Sequence, residues 1–488
     1  MTQNPIQALL WYGAALLASL SVALINGGGL SYFDTAGYLE QGQASLSSLG
    51  LDLAPDAQTL QTSSDAGVGA RDDGAVVGSR SAIYSMLVAG ARFTLGLSAI
   101  PVLHAVAFLL AVALPVRIWL RQIPDARHLM PRLVAVPVIL AGLTSLPFYV
   151  AYLMPDIFAP ILLLMAATLA AFAPRMTWPE RIFAVSYGVA AATTHPSHLL
   201  IAVVLLPAVA LAALIVSGRR WWIATALTGL IALGAMAERV VFTTAVKYIR
   251  NAEVVYQPFL VIRVIADGPG YRYLQDSCPD PDISTCALYD ILRKSDNPLR
   301  LTASHIMFET DPDLGSYKLL DAAQQKRIAD DQIGFFLDVL IARPVDTIQA
   351  FIRNTLLQAG VYNSIRQTIP NAETLDGLFR MTDLAPPSLR ETRLYDTRRE
   401  LAWLDPFHRL IYGVALIVIA YLCLTPYRRP PLEMRIFVLM VLAGILANAL
   451  VNGGISQPSD RYGARVIFLL PLAAGLLAMT RHLTEPRT

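Results

Sequence analysis

Charged side chains are scarce in this sequence. Only 15% of its 488 residues are Asp, Glu, Lys or Arg, whereas 55% are hydrophobic. A soluble globular protein carries about 25% charged residues, and the mean hydropathy here is +0.51. The formal net charge of +2 comes without a basic patch, which argues against a nucleic-acid partner. The composition therefore excludes an ordinary soluble domain and predicts a polytopic membrane protein.

Several sequence motifs are also missing. The chain has no GxxxxGK[ST] loop and no GxGxxG after a strand, which argues against a nucleotide-driven motor within it. It has no HExxH pattern, so a zinc peptidase is not expected. We find no repeat of fixed period and no low-complexity tract. Function must therefore be inferred from single polar side chains and their position relative to the apolar segments.

Cysteine is rare, with three residues in the whole chain. Cys423 lies inside an apolar run, whereas Cys278 and Cys286 lie close together in a polar segment. Such a pair forms a disulfide if the segment faces an oxidising compartment, and otherwise remains two thiols. Zinc ligation is less favoured, because no further Cys or His stands at ligand spacing nearby.

Long apolar runs make up most of the chain. A membrane helix needs roughly 20 mostly apolar residues, and about ten segments come near that requirement. Residues 81–95 are apolar on part of their circumference only, which is typical of a helix lying in the membrane interface. The sequence predicts an all-α polytopic membrane protein with about ten transmembrane helices, an interfacial helix in the first outer loop and a mainly helical extracytoplasmic domain. The predicted spans are residues 7–29, 97–120, 133–153, 158–173, 182–194, 199–218, 221–241, 410–425, 435–451 and 466–479.

The chain divides into three predicted parts. Residues 1–241 form an N-terminal membrane module with about seven spans and a first outer loop at 30–96. Residues 242–406 form an extracytoplasmic domain, the only large hydrophilic block. Residues 407–488 form a C-terminal membrane module with about three spans.

The distribution of basic residues predicts the orientation. If the N-terminus is cytoplasmic, the segments that become cytoplasmic are all basic, as the positive-inside rule requires. They are residues 117–132, 174–181, 218–221, 426–435 and the C-terminal tail. The same orientation places the hydrophilic block and the cysteine pair outside. We therefore expect a protein of the bacterial inner membrane with both termini in the cytoplasm.

Two aspartates stand where predicted spans end on the outer side. Asp34 follows the first span, with Tyr38 close by, and Asp156 precedes the fourth span. A carboxylate in such a place can accept a proton from a hydroxyl or bind a metal ion. The simpler interpretations are a solvated loop residue and, for Asp156, a helix N-cap. Both are candidate catalytic residues, and Tyr38 is a candidate substrate-binding residue.

Basic side chains are found on the same predicted side. His195 and His198 break an apolar hairpin, where they suit a phosphate, a metal ion or a lipid headgroup, or simply form a polar turn. Arg461 and Arg465 fall on one helical face if their helix begins early. Two guanidiniums there suit a phosphate or pyrophosphate, or anchor the helix to anionic lipid. Arg92 is a second-rank candidate, since it can also extend to the interface.

Together these features resemble the GT-C class of integral-membrane glycosyltransferases, such as the protein O-mannosyltransferases and the lipid A aminoarabinose transferases. The resemblance rests on Asp34 with Tyr38 in the first outer loop, the interfacial helix at 81–95, Asp156 in the second outer loop, and a large outer segment late in the chain. It is a likeness of architecture and covers mostly the first 240 residues. Family members often carry an acidic pair in the first loop, whereas Thr35 follows the aspartate here.

The resemblance implies a polyprenyl-phosphate-linked sugar as donor and a glycan, lipid or protein as acceptor. Asp34 would deprotonate the acceptor hydroxyl, which would attack the anomeric carbon and invert it, and Asp156 would bind the acceptor or a metal ion. Arg461 and Arg465, with the histidine pair, would stabilise the departing lipid phosphate. A divalent metal is an open question, with Asp34, Asp156 and His195 as the ligands to consider.

Other functions remain open from the sequence. A transporter or flippase for a lipid-linked or anionic substrate would bind it near mid-membrane with broken helices and paired repeats. Here the candidates crowd one face, and His104 is the nearest to a mid-span polar residue. A non-catalytic envelope assembly protein would leave Asp34 and Asp156 far apart. An acyl or phosphoglycerol transferase would need a nucleophile that the sequence does not reveal.

Overall fold

The computed structural model describes residues 4–51, 76–78, 80–369, 393–394, 397–425, 429–481 and 483. Most of the acidic part of the predicted first outer loop therefore lies outside the described residues. Helix makes up 78% of the structure, which confirms the all-α prediction. The helices are α1 (Pro5–Asn26), α2 (Thr35–Ser48), α3 (Ala82–Thr94), α4 (Ala99–Leu120), α5 (Met130–Gly142), α6 (Leu146–Ala151), α7 (Phe158–Phe172), α8 (Trp178–Thr193), α9 (Pro196–Ser217), α10 (Trp221–Arg250), α11 (Phe259–Ala266), α12 (Pro269–Ser277), α13 (Cys286–Leu292), α14 (Ala303–Phe308), α15 (Ala322–Asp330), α16 (Gln332–Ala342), α17 (Pro344–Gly360), α18 (Leu404–Leu424), α19 (Leu432–Ala449), α20 (Asp460–Ile467) and α21 (Leu469–Arg481).

The described strands form one short parallel pair. Strand β1 (Val76–Val77) hydrogen-bonds to β2 (Val254–Val255). The pairing ties residues 76–77, in the predicted first outer loop, to the segment that follows α10.

Seven stretches of the described chain are long and apolar enough to cross a membrane, which indicates an integral membrane protein. The count of ten remains a prediction. Helices α9 and α10 join through one tight turn into a single 54-residue stretch, and α8 has only 16 residues. The predicted third span is divided into α5 and α6, because Pro147 lacks the N–H that would continue the hydrogen-bond ladder. The seven stretches are Pro5–Asn26, Ala99–Leu120, Pro155–Arg175, Pro196–Ile249, Leu404–Leu424, Leu432–Ser456 and Asp460–Arg481.

Helix α7 is the centre of the membrane module, and every residue in it is buried. It packs against α4, α8, α9 and α19. Because lipid is as apolar as leucine, such helices associate through close packing at small residues. Gly444 of α19 illustrates this, since a Cβ there would lie 2.9 Å from the Leu163 side chain. Helices α1 and α18 are peripheral and expose leucine and isoleucine side chains, as lipid-facing helices do.

The membrane module has two chemically different ends. At one end, Arg121 donates to Glu180 at 2.9 Å, and Arg175 pairs with Glu433. These ion pairs join the predicted basic loops to one another at this end of the membrane module. The opposite end carries the ends of α1 and α6, the start of α9 and the start of α20. We call it the cluster end.

A small helical domain lies at the cluster end. We call residues 254–369 the outer domain, because they belong to the block that the sequence predicts to be extracytoplasmic. It has its own apolar core, formed by buried side chains such as Val261, Leu288 and Phe335. The predicted disulfide between Cys278 and Cys286 is confirmed, and it joins the end of α12 to the start of α13.

Candidate functional site

Acidic and basic side chains from distant parts of the chain meet at the cluster end. Arg461, on α20, donates from Nη1 to Asp34 Oδ2 at 2.6 Å. The same guanidinium donates from Nη2 to Asp156 Oδ2 at 2.8 Å and from Nε to both oxygens of that carboxylate. One arginine therefore bridges the two predicted catalytic aspartates. We call Asp34, Asp156, Arg80, Arg461 and Arg465 the carboxylate–guanidinium cluster.

Helix α20 begins early enough to bring both of its arginines onto one face, as predicted. Arg465 donates from Nη1 to Asp156 Oδ1 at 3.2 Å and from Nη2 to Asn448 Oδ1 at 2.9 Å. Its Nη2 also contacts Ser197 Oγ at 3.2 Å, and the residue is 0% exposed. Because all of these N–H groups point at protein atoms, Arg465 positions Asp156 and α9. The phosphate contact suggested for it from the sequence would require breaking these bonds.

The two aspartates differ in their environment. Asp156 lies in the single turn of 3₁₀ helix Pro155–Ile157, and its side chain is 2% exposed. It is not the N-cap of α7, which is Ile157, so the N-cap interpretation is wrong. The Asp34 side chain is 37% exposed and also accepts from Arg80 at 3.1 Å. Asp156 is thus enclosed by protein and holds the arginines in place, whereas Asp34 has one side open to a ligand.

The pKa of Asp34 reflects two opposing effects. Burial raises the pKa of this carboxyl, but the Arg461 and Arg80 guanidiniums together outweigh burial and hold the pKa below its ordinary value. Asp34 is therefore ionised at neutral pH. It can accept hydrogen bonds and a proton but is a weak base.

Aromatic rings cover the guanidiniums. The Arg461 guanidinium carbon lies 5.0 Å from the Tyr32 ring centre, and that of Arg80 lies 5.8 Å from the Tyr38 ring centre. Such cation–π contacts strengthen when water is excluded. Tyr38 is almost fully buried against Tyr84. It therefore supports Arg80, and its predicted substrate contact remains a prediction.

The predicted histidine pair lies beside the cluster. His195 precedes α9 and accepts at Nδ1 from the Ser197 N–H, while Ser197 Oγ accepts from Arg465. Burial, together with the nearby Arg465 and Arg461, lowers the pKa of His195 to about 3, so the ring is neutral at physiological pH. The His198 ring lies 5.4 Å away, and its Nε2 is buried without a hydrogen-bond partner in the described part of the chain.

The structure gives no support for a metal centre. Within the described residues, no three His, Cys, Asp or Glu side chains are grouped in a way that could hold a metal ion. The oxygens of Asp34 and Asp156 already accept from guanidiniums. A metal ion would have to displace those cations.

An open pocket lies beside the cluster. Two of its walls come from residues already described, Arg80 and His195. The wall formed by α10 contributes Glu238 and Arg239, and the Arg239 guanidinium carbon lies 4.4 Å from the Tyr256 ring centre. The pocket is thus lined by charged groups of both signs at a membrane boundary.

Two of these pocket residues, Arg80 and Glu238, are not among the site residues predicted from the sequence. Arg80 borders the predicted interfacial helix at 81–95, where a basic residue is an ordinary anchor. The available signal was a Glu-Arg pair inside the apolar run of α10, since ionisable residues in membrane helices usually serve a function. Arg92 is a predicted substrate-binding candidate, but it is not part of the pocket wall. Its guanidinium carbon lies 5.4 Å from the centre of the neighbouring Phe93 ring.

The outer domain fixes the start of α20. The Gln358 side chain accepts from the Ser459 N–H at 2.8 Å and donates to the Ser459 carbonyl at 3.0 Å. One turn further on, Gly463 approaches Tyr362 so closely that a Cβ there would overlap the Tyr362 carbonyl oxygen. The predicted extracytoplasmic block is therefore part of the support for Arg461.

Features predicted by the alternative functions can also be located. Asp34 and Asp156 are not far apart, because both bind Arg461. His104 lies near the start of α4, where Nδ1 is 3.1 Å from the Val150 carbonyl and Nε2 is 3.4 Å from the Tyr84 hydroxyl. It is therefore a satisfied buried histidine.

No known protein family, no curated protein and no solved structure matches this chain. The fold and the site together define a helical membrane protein with a buried charge cluster beside a pocket at one end of its spans. Function is inferred below from that geometry.

Proposed function

We propose that this protein is a GT-C-type membrane glycosyltransferase that takes a sugar from a polyprenyl-phosphate donor and transfers it, with inversion, to an acceptor at the extracytoplasmic face. The observation that carries the proposal is the convergence of Asp34 and Asp156 on Arg461 beside a charged pocket. Such a site combines a partly open carboxylate with fixed cations, which is what glycosyl transfer to a hydroxyl requires.

The donor phosphate would enter the pocket from the lipid side. Glu238 stands about 26 Å along α10 from its start at Trp221, close to the roughly 30 Å thickness of the hydrocarbon core. Around it, Leu233, Met236 and Val240 are exposed on the outside of α10. A polyprenyl chain can therefore stay in lipid while its phosphate reaches the arginines of the pocket.

We infer the following reaction at this site. The acceptor oxygen forms a bond to the anomeric carbon, its proton passes to Asp34, and the bond from that carbon to the phosphate oxygen breaks. The polyprenyl phosphate leaves with the electron pair, and Arg80 and Arg239 offset its charge. A weak base such as Asp34 suits a transition state in which bond breaking runs ahead of proton transfer. Arg461 and Arg465 then position the carboxylates, and Glu238 can accept hydrogen bonds from sugar hydroxyls.

The orientation is part of the proposal. We infer that the cluster end and the outer domain are extracytoplasmic, that both termini are cytoplasmic, and that the membrane is a bacterial inner membrane. The basic loops at the opposite end support this by the positive-inside rule. The Cys278–Cys286 disulfide supports it as well, since disulfides persist in oxidising compartments.

A binding experiment tests the proposal without knowledge of the sugar. Polyprenyl monophosphate is the product common to all donors of this class, so the purified protein should bind it in preference to phosphatidylglycerol. Native mass spectrometry of the protein with both lipids measures this preference. Arg239→Gln should weaken it, whereas Arg92→Gln, outside the pocket, should not. Equal retention of the two lipids by the unaltered protein would contradict the proposal.

A transfer assay tests the chemistry. Membrane vesicles containing the protein, given radiolabelled polyprenyl-phosphate sugars and cell-envelope acceptors, should release polyprenyl phosphate. Asp34→Asn should reduce release by about 10²-fold or more while leaving polyprenyl monophosphate bound. Unchanged release in this variant would remove Asp34 from the mechanism.

A flippase for a lipid-linked substrate is the second candidate, and one observation favours it. The break between α5 and α6 contacts α20, because Ser145 Oγ donates to the Ala464 carbonyl at 2.6 Å. Broken helices at a binding site are typical of transporters. Movement of a fluorescent polyprenyl phosphate across vesicles, without sugar transfer, would favour this candidate.

A further inference from the structure

Helix α17 of the outer domain is amphipathic in the reverse sense. Its buried face carries small or polar side chains, and its exposed face carries aliphatic ones. A helix that faces water does the opposite. The buried residues are Thr347, Ala350, Asn354 and Gln358, and the aliphatic residues, between 50% and 65% exposed, are Val345, Ile348, Ile352 and Leu356.

The preceding helix α16 continues the exposed apolar surface. Phe335 and Val339 are buried in the outer-domain core. On the other side, Ile333, Leu337 and Ile341 are between 47% and 78% exposed. Apart from Asp338, which is exposed at the edge of this surface, α16 is apolar on both sides. Such a helix is normally covered on both sides, by protein or by lipid. We call α16 and α17 together the apolar helix pair.

Contacts of α17 with the membrane module fix its level. The Phe351 ring packs on Gly454, and the Asn354 carbonyl oxygen lies 2.6 Å from the Cβ position of Gly453. Both glycines belong to the π-helical turn Leu450–Ser456. This turn ends the apolar stretch Leu432–Ser456. Helix α17 is therefore held beside the end of a stretch that is long and apolar enough to span a membrane.

We propose that the apolar helix pair lies in the outer-leaflet interface of the bilayer, with its exposed aliphatic face among the upper acyl carbons. The bilayer is the occupant that the contacts favour, because the exposed face begins beside the end of a span. The exposed polar residues of α17, Gln349 and Arg353, lie at the edge of the aliphatic stripe, where headgroups would meet them. The proposal concerns how the outer domain is seated. It takes the orientation from the proposed function but does not rest on the glycosyltransferase chemistry.

Site-directed spin labelling of the full chain in phosphatidylethanolamine–phosphatidylglycerol bilayers tests the proposal. Labels are introduced by Ile348→Cys and Ile352→Cys in a Cys423→Ser background, which leaves the disulfide intact. Collision rates are then measured with oxygen, which partitions into lipid, and with a water-soluble nickel chelate. Ile417→Cys in α18, where Ile417 is 70% exposed, is the lipid control. Asp330→Cys, at a side chain that is 68% exposed, is the water control.

The labels at 348 and 352 should show an oxygen-to-nickel collision ratio several-fold above that of Asp330→Cys and closer to that of Ile417→Cys. A ratio matching Asp330→Cys would overturn the proposal, because the face would then be in water. Low collision rates with both reagents would also overturn it, since a protein surface would then cover the face.

Discussion

Replacing each cluster aspartate by asparagine should separate an anchor from a reactive group. Asp156 is fully buried between Arg461 and Arg465. Removing the Asp156 charge leaves the two buried guanidiniums with one carboxylate partner fewer. Breaking a buried ion pair in this way costs about 3–5 kcal/mol. Asp34 is 37% exposed, so water can replace part of its charge, and the cost of Asp34→Asn should be about 1 kcal/mol or less.

The assay is thermal unfolding of the two purified variants in the same detergent. A loss of 3–5 kcal/mol is a large share of the roughly 5–15 kcal/mol that keeps a typical domain folded. Asp156→Asn should therefore lower the unfolding midpoint by several degrees or prevent purification. Asp34→Asn should unfold close to the unaltered protein and lose only transfer activity.

A double variant keeps the reasoning testable if Asp156→Asn is hard to purify. Removing Arg465 as well, by Arg465→Met, takes away one of the stranded charges. The double variant should lose less stability than the sum of the single losses, with a coupling of about 0.5–3 kcal/mol. Strict additivity, or equal stability losses for Asp34→Asn and Asp156→Asn, would refute the division of roles.

Two further predictions concern the pH profile and the outer-domain contact. Because Arg80 helps to lower the pKa of Asp34, Arg80→Gln should raise that pKa, so the acid limb of transfer activity should move to higher pH. If the acid side of the pH profile did not shift, a group other than Asp34 would control the loss of activity at low pH. Gly463→Ala forces a methyl group into the Tyr362 carbonyl and should cost about 1–3 kcal/mol as an overpacking change. Gly413→Ala, in α18 with no atom within 4 Å of the added Cβ, should leave the unfolding midpoint unchanged or slightly raised.

Much of the site could be predicted from the sequence because its members stand at the ends of apolar runs. This holds for Asp34, Asp156, His195 and the two arginines of α20. Spans that end on the same side of a membrane end at about the same depth, so residues at those ends lie near one another. The disulfide followed in the same way from the orientation of its loop.

The partners within the site could not be predicted, because they are set by packing between segments far apart in sequence. Arg461 and Asp156 are 305 positions apart, and nothing local indicates that they pair. Arg80 resembles an ordinary interface anchor until its contact with Asp34 is seen. The reversed face of α17 was hidden for a similar reason, since a helical period in the sequence does not tell which side faces the core.

The bridging role of Arg461 has a consequence for biosynthesis. The two aspartates enter the membrane early, whereas their shared counter-ion is made only after some 300 further residues. Until the last spans are made, Asp156 lacks both of its arginines and must remain hydrated or protonated, whereas Asp34 can already pair with Arg80. Completion of the C-terminal module thus acts as a late checkpoint, and a chain truncated before α20 would leave Asp156 without a counter-ion.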